Sequence, residues 1–147
     1  LAKSFLTFNN HIATENSLSK REAELLILRV SWLRRSEYEF QQHVVLGLRA
    51  GLSEEEIESI QDGPGAVNWN ATDAALLQAV DDLVNDACVQ PDTWSALCKH
   101  YDQKQRMDLV FTVGCYEVLA MAFKTFAVPF ESCLEPMGPE TKERMYG

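Results

Sequence analysis

Apolar residues recur along this chain at intervals of three and four, the period of an α-helix packed on one face. Leu25, Leu26, Val30 and Leu33 follow a capping box at Ser19–Glu22, which predicts a helix over 20–34. Arg34 and Arg35 interrupt the apolar run and predict a short break near Arg35. A second helix over 36–50 follows, with Gly51 placed to supply the left-handed residue that ends it. Ser53 and Glu56 form another capping box, opening a short helix that ends at Gly63. Glu54, Glu55 and Glu56 sit at the positive end of its dipole. Gly63-Pro64-Gly65 marks the clearest loop. Ala75, Leu76, Ala79, Val80 and Leu83 predict a helix over 72–87, and Pro91 starts another over 91–100. Asp102 is placed to cap the longest helix, 103–126, which Pro129 stops. Residues 2–11 form a further candidate helix. Beyond 129 the prolines and Gly138 predict irregular chain before a charged end.

No segment alternates polar and apolar residues with the period of a strand, and no internal repeat is visible. The expected fold class is therefore all-α, with six to seven helices. The 147 residues form one domain, 1–147, with the loop at 63–70 as an internal joint. A chain of this length buries a full core without disulfides or metal.

The charge balance narrows the partners. Thirteen Lys and Arg stand against 22 Asp and Glu, a net charge of -9. Without a basic footprint, no nucleic acid and no anionic membrane is expected as partner. The most apolar stretch, 107–128, carries Asp108, Glu117 and Lys124, which suits a core helix and not a membrane span. Leu1 is not methionine, so further residues are expected upstream. Residues 1–10 lack the apolar run of a signal peptide, which points to a cytoplasmic protein. Asn70-Ala71-Thr72 matches a glycosylation sequon, but a helix N-cap accounts for it. Cys88, Cys98, Cys115 and Cys133 form no CxxC and no zinc-type cluster with the three scattered histidines. They are expected to be reduced thiols, mostly structural, and no metal site is expected. His11 and His100 lie near helix ends and carry no role.

Chemistry concentrates in 24–43. Glu39 and His43 are four residues apart, so one helix face presents a carboxylate beside an imidazole. Such a pair fixes the ring tautomer and makes the histidine a general acid or base near neutral pH. Glu24, on the preceding helix, reaches the same point if the two helices pair antiparallel. Trp32, Tyr38 and Phe40 flank the stretch and are placed to wall an apolar pocket.

The run Arg21-Glu22-Ala23-Glu24-Leu25-Leu26-Ile27-Leu28-Arg29, then Ser31-Trp32-Leu33 and Ser36-Glu37-Tyr38-Glu39-Phe40-Gln41-Gln42-His43-Val44, resembles the carboxymuconolactone decarboxylase family, which includes the alkyl hydroperoxidase D (AhpD) proteins. The likeness continues through 50–57 and more loosely through Leu109-Val110-Phe111 and Gly114-Cys115-Tyr116, covering about 20–129. It implies an AhpD-like bundle built around an antiparallel helical hairpin and assembled as homotrimers or homohexamers. The peroxidase branch carries the spacing E-x11-C-x2-C-x3-H. Here the glutamate falls on Glu24 and the histidine on His43, while Ser36 and Glu39 take the cysteine positions. Serine forms neither sulfenic acid nor disulfide.

What remains is acid–base machinery. The family's decarboxylases, by resemblance, act on a small cyclic carboxylate with no cofactor. Loss of CO2 from a β,γ-unsaturated acid leaves a dienolate-like charge that needs a proton donor and a polar pocket. The expected roles are His43 as proton carrier, Glu39 and Glu24 orienting it, and Arg34 or Arg35 holding a substrate carboxylate. Cys115 is expected in the pocket wall with Trp32 and Tyr38. The expected partner is a small carboxylated or lactone-like molecule. Two other readings stay open: an AhpD-like peroxidase using a thiol such as Cys115, and a helical oligomer without catalysis.

Overall fold

The computed structural model describes residues 1–131 and 134–147. Cys133 lies outside the described residues. Among the described residues there are eight α-helices and no strand. They are α1 (Ala2–Thr14), α2 (Lys20–Leu33), α3 (Glu37–Ala50), α4 (Glu54–Ser59), α5 (Ala71–Asp86), α6 (Pro91–Leu97), α7 (Gln103–Thr125) and α8 (Pro139–Tyr146), with a 3-10 turn at Gly63–Gly65 between α4 and α5.

The start signals read from sequence are made in full. Ser19, Ser53 and Asp102 each form a reciprocal capping box with the residue three positions on. The Asn70 side chain accepts from the backbone N–H of Thr72 and Asp73, the cap expected of that sequon. Gly51 closes α3 at φ 100°. The break between α2 and α3 falls on Arg35, whose φ of 52° is in the left-handed region.

α2 is the centre of the molecule. Leu25, Leu26, Leu28 and Val30 are completely buried, and Ala23, Ile27 and Ser31 are buried beside them. Burial all round means the helix has no solvent face over this stretch: α3, α5 and α7 pack around it. Each fully buried leucine contributes about 1.5–3 kcal/mol of transfer free energy. α3 approaches α2 closely at Gly47, where an added Cβ would meet Leu52 at 3.0 Å and Leu28 at 3.3 Å. Charge is admitted to this core where it is paired. The Arg29 guanidinium donates to both carboxylate oxygens of Asp81, at 2.7 and 2.8 Å, and to the Ile60 carbonyl at 2.7 Å.

Two expectations change. The segment after 129 ends in a helix, α8, with Pro139 in its first turn and Met145 buried in the core. Proline is well suited to that position, and one buried methionine anchors the element. The thiols are also less uniform than expected: Cys115 is buried, but Cys88 and Cys98 are exposed. No helix among the described residues is long and apolar enough to cross a membrane.

Candidate active site

The antiparallel pairing of α2 and α3 sets Glu24 opposite His43. His43 Nδ1 lies 2.7 Å from Glu24 Oε2, and both side chains are 12 % exposed. A carboxylate accepts from Nδ1–H, so this contact leaves Nε2 as the ring nitrogen free to take or give a proton.

The pair opens on a cavity of about 380 Å³. α2 contributes Lys20, Ala23, Glu24 and Ile27, the positions i, i+3, i+4 and i+7 of one helix face. α3 contributes His43, Leu46, Arg49 and Ala50, and α7 contributes Thr112 and Tyr116. α1 and the segment after it close the remaining side with Ile12, Ala13, Asn16 and Leu18. The wall is mostly hydrocarbon with a few converging polar groups, the usual character of a small-molecule site.

Tyr116 stands edge-on to the His43 ring, with centroids 5.0 Å apart and planes at 87°. Burial holds its phenol proton well above the ordinary range, and the negative charge of Glu24 adds to the effect. The phenol is therefore a hydrogen-bond donor at any physiological pH. The Asn16 amide donates to Thr112 Oγ1 at 2.9 Å, fixing the segment before α2 against α7. Sequence periodicity assigned the aromatics of α7 to core packing, and Tyr116 was missed for that reason. Lys20, Arg49, Asn16 and Thr112 were missed as well. Only the hairpin geometry reveals them, because they come from four separate segments.

The other expected residues lie elsewhere. Glu39 points into the core instead of along the helix to His43. It is 1 % exposed, and among the described residues neither carboxyl oxygen meets a donor with hydrogen-bond geometry, although the Ser31 and Ser36 hydroxyls lie nearby. Burial pushes its carboxyl up to about 8, against a weaker opposing effect of the Ser31 and Ser36 hydroxyls. Ser36 is buried too, so both positions that carry thiols in the peroxidase branch are sealed from solvent. Arg34 donates to Glu117 Oε1 at 2.6 Å and to the Val84 carbonyl, and lines a different hollow with Met121 and Lys124. The Arg35 carbonyl accepts from the Tyr146 hydroxyl at 3.3 Å, and its side chain is not in the cavity wall. Both arginines follow the end of α2 at Leu33, about ten residues beyond Glu24, and so lie far along the hairpin from His43.

Trp32 packs on Phe40, with centroids 5.6 Å apart. Tyr38 packs edge-on to Phe123 and Phe130 and accepts from the Gln42 amide at 3.1 Å. Cys115 neighbours Tyr116 in sequence but, one helix step round, lines a different hollow with Phe5, Phe8 and Phe111. Burial raises its thiol pKa, which disfavours the thiolate a peroxidase needs. Among the described residues no cluster of three or more His, Cys, Asp or Glu is placed to hold a metal ion.

A helical hairpin carrying Glu24 and His43 over a small cavity defines an AhpD-like helical protein. The family model of the carboxymuconolactone decarboxylase family matches residues 1–82, and the chain belongs to that family. Two crystal structures share its architecture. One is a protein of unknown function from Agrobacterium tumefaciens, described as a candidate antioxidant defence protein AhpD. It is 20 % identical with a TM-score of 0.81, over 88 % of this chain and 89 % of that one. The other is an uncharacterized peroxidase-related protein from Silicibacter sp. TM1040. It is 15 % identical with a TM-score of 0.76, over 97 % of this chain and 73 % of that one. At such identities the likeness shows the fold alone. A search of curated proteins finds no match.

Proposed function

We propose that this protein is a cofactor-free acid–base enzyme acting on a small carboxylated or lactone-like metabolite, in the manner of a decarboxylase. His43 moves the proton through Nε2, Glu24 holds the ring in the required tautomer, and Tyr116 donates a hydrogen bond to the developing oxyanion. The observation that carries this reading is the 2.7 Å contact between His43 and Glu24 in the wall of the cavity. Charge developing on a substrate there meets preorganised donors in a largely apolar enclosure, where they act most strongly.

The test is a panel of unsaturated and cyclic small acids incubated with the protein in D2O, with EDTA present. NMR follows deuterium incorporation and loss of the carboxyl group. Turnover of at least one acid is expected, falling about 10²–10⁴-fold in His43→Ala. Equal turnover by His43→Ala rules out this mechanism.

The protein is also proposed to self-associate, as a homotrimer or homohexamer. Met107, Phe111, Val118 and Met121 are exposed at helical spacing along α7, and Val45 and Leu48 are exposed on α3. A contiguous apolar stripe of that kind is uncommon on a small monomer. Light scattering at micromolar concentration is expected to give three or six times the chain mass, and a monomeric mass would contradict it.

A further inference from the structure

We infer that one end of the His43 cavity is an anion subsite, in which Lys20 and Arg49 hold the carboxylate of a small acid whose reacting atom lies one to two helical turns away at His43. The inference rests on the acid–base reading above and names the substrate geometry that the same cavity accepts.

Lys20 and Arg49 both line the cavity. They come from opposite termini of different helices: Lys20 opens α2 and Arg49 lies in the last turn of α3. Antiparallel packing brings those termini to the same end. The position of Gly47 confirms the register, since its added Cβ would lie 3.9 Å from the Glu24 Cβ. Lys20 precedes Glu24 by four residues, about 6 Å of helix rise, and Arg49 follows His43 by six, about 9 Å. α7 is ordered the same way. Thr112, tied to Asn16, stands toward the Lys20 end, and Tyr116 is one turn on against His43.

Their place in the cavity wall, together with the charges left unpaired there, makes these two cations informative. Acids outnumber bases by 22 to 13 in this chain. Arg21, Arg29, Arg34, Lys104, Lys142 and Arg144 have carboxylate partners, and of the other seven cations, which have none among the described residues, only Lys20 and Arg49 line this cavity. The Lys20 ammonium instead donates to the Ala13 carbonyl, which satisfies one of its three protons and none of its charge. Arg49 makes no side-chain hydrogen bond or ion pair among the described residues. A guanidinium and an ammonium left without a counter-charge at one end of a cavity, in an acidic protein, suit a carboxylate supplied by the ligand. Ala23 and Leu46 lie in the wall between the cations and the Glu24–His43 pair, with Ile27 one turn past Glu24, so the intervening part of the ligand is hydrocarbon.

The experiment compares 3-phenylpropionate with its neutral amide by titration calorimetry. Wild-type protein is expected to bind the acid about tenfold or more tightly, the scale of one charge-assisted contact. The double variant Lys20→Gln/Arg49→Gln loses that preference while keeping the affinity for the amide, and Arg49→Lys in the Lys20 background retains most of it. Equal binding of acid and amide by the wild type overturns the inference. So does a preference that survives in the double variant, or binding of neither probe at millimolar concentration. His43→Ala keeps the preference for the acid. A preference intact in a protein that turns over no acid sinks the acid–base reading and leaves the subsite standing.

Discussion

Glu24→Gln is expected to lower turnover of a responsive acid by about 10²–10⁴-fold while leaving the fold intact. Glu24 Oε2 sits 2.7 Å from His43 Nδ1 and can only accept there, so Nδ1 carries the proton and Nε2 faces the chemistry. A glutamine of the same shape can present its NH2 to Nδ1 instead. The ring then takes the other tautomer, with its proton on Nε2, and a base becomes a misplaced donor. The side chain is 12 % exposed and its partner is the His43 ring, to which an amide still hydrogen-bonds, so stability should change little. The check is kcat against pH together with nitrogen chemical shifts of the His43 ring. A large fall in kcat with a switched tautomer is expected. Unchanged kcat would remove Glu24 from the mechanism.

Glu39→Gln is expected to stabilise the protein by a few kcal/mol at alkaline pH. In the folded chain the Glu39 carboxyl keeps its proton up to about pH 8, whereas its ordinary value is 4.5. Between those pH values the folded state holds a proton that the unfolded state has released. Stability therefore declines as pH rises through this window and is level above it. Each unit of displacement corresponds to about 1.4 kcal/mol, so the penalty reaches the order of several kcal/mol. Below pH 4.5 the carboxyl is neutral in both states and the penalty vanishes. Glutamine is neutral throughout. Urea unfolding of both proteins at pH 4 and pH 9 isolates the effect: near-equal midpoints at the lower pH and a clear advantage for the variant at the higher. A constant difference between the two pH values would show that Glu39 titrates in the fold as it does in the unfolded chain.

These two glutamates separate what a helical pattern reveals from what it conceals. Spacing placed Glu39 and His43 four residues apart and so on one face, which is true of the backbone. The ring, however, meets Glu24 across the hairpin, because Gly47 lets the two helices approach and Glu39 turns inward with Ser31 and Ser36. The sequence motif brought Glu24 and His43 toward one point if the helices paired antiparallel, and in the fold the two side chains are 2.7 Å apart. It could not place Arg34 and Arg35, since their direction depends on the left-handed turn at Arg35. Cys115 and Tyr116 are adjacent in sequence, yet one helix step sends the thiol to the apolar groove beside α1 and the phenol to the cavity.

By itself the sequence determined that this chain folds as helices and not strands over the described residues. Capping boxes, a terminating glycine and the three-to-four spacing of apolar residues act within a few positions along the chain, so their meaning survives without a fold. α8 is the exception, because its Pro139 start signal was masked by neighbouring prolines and its anchor, Met145, counts only once a core exists to receive it. Tertiary structure alone decided which charges meet. Lys20, Glu24, His43, Arg49 and Tyr116 are spread over nearly a hundred positions and become one cavity only when α3 and α7 pack on α2. Helix formation is local, whereas the direction of a polar side chain depends on what lies opposite it, and that is set by packing.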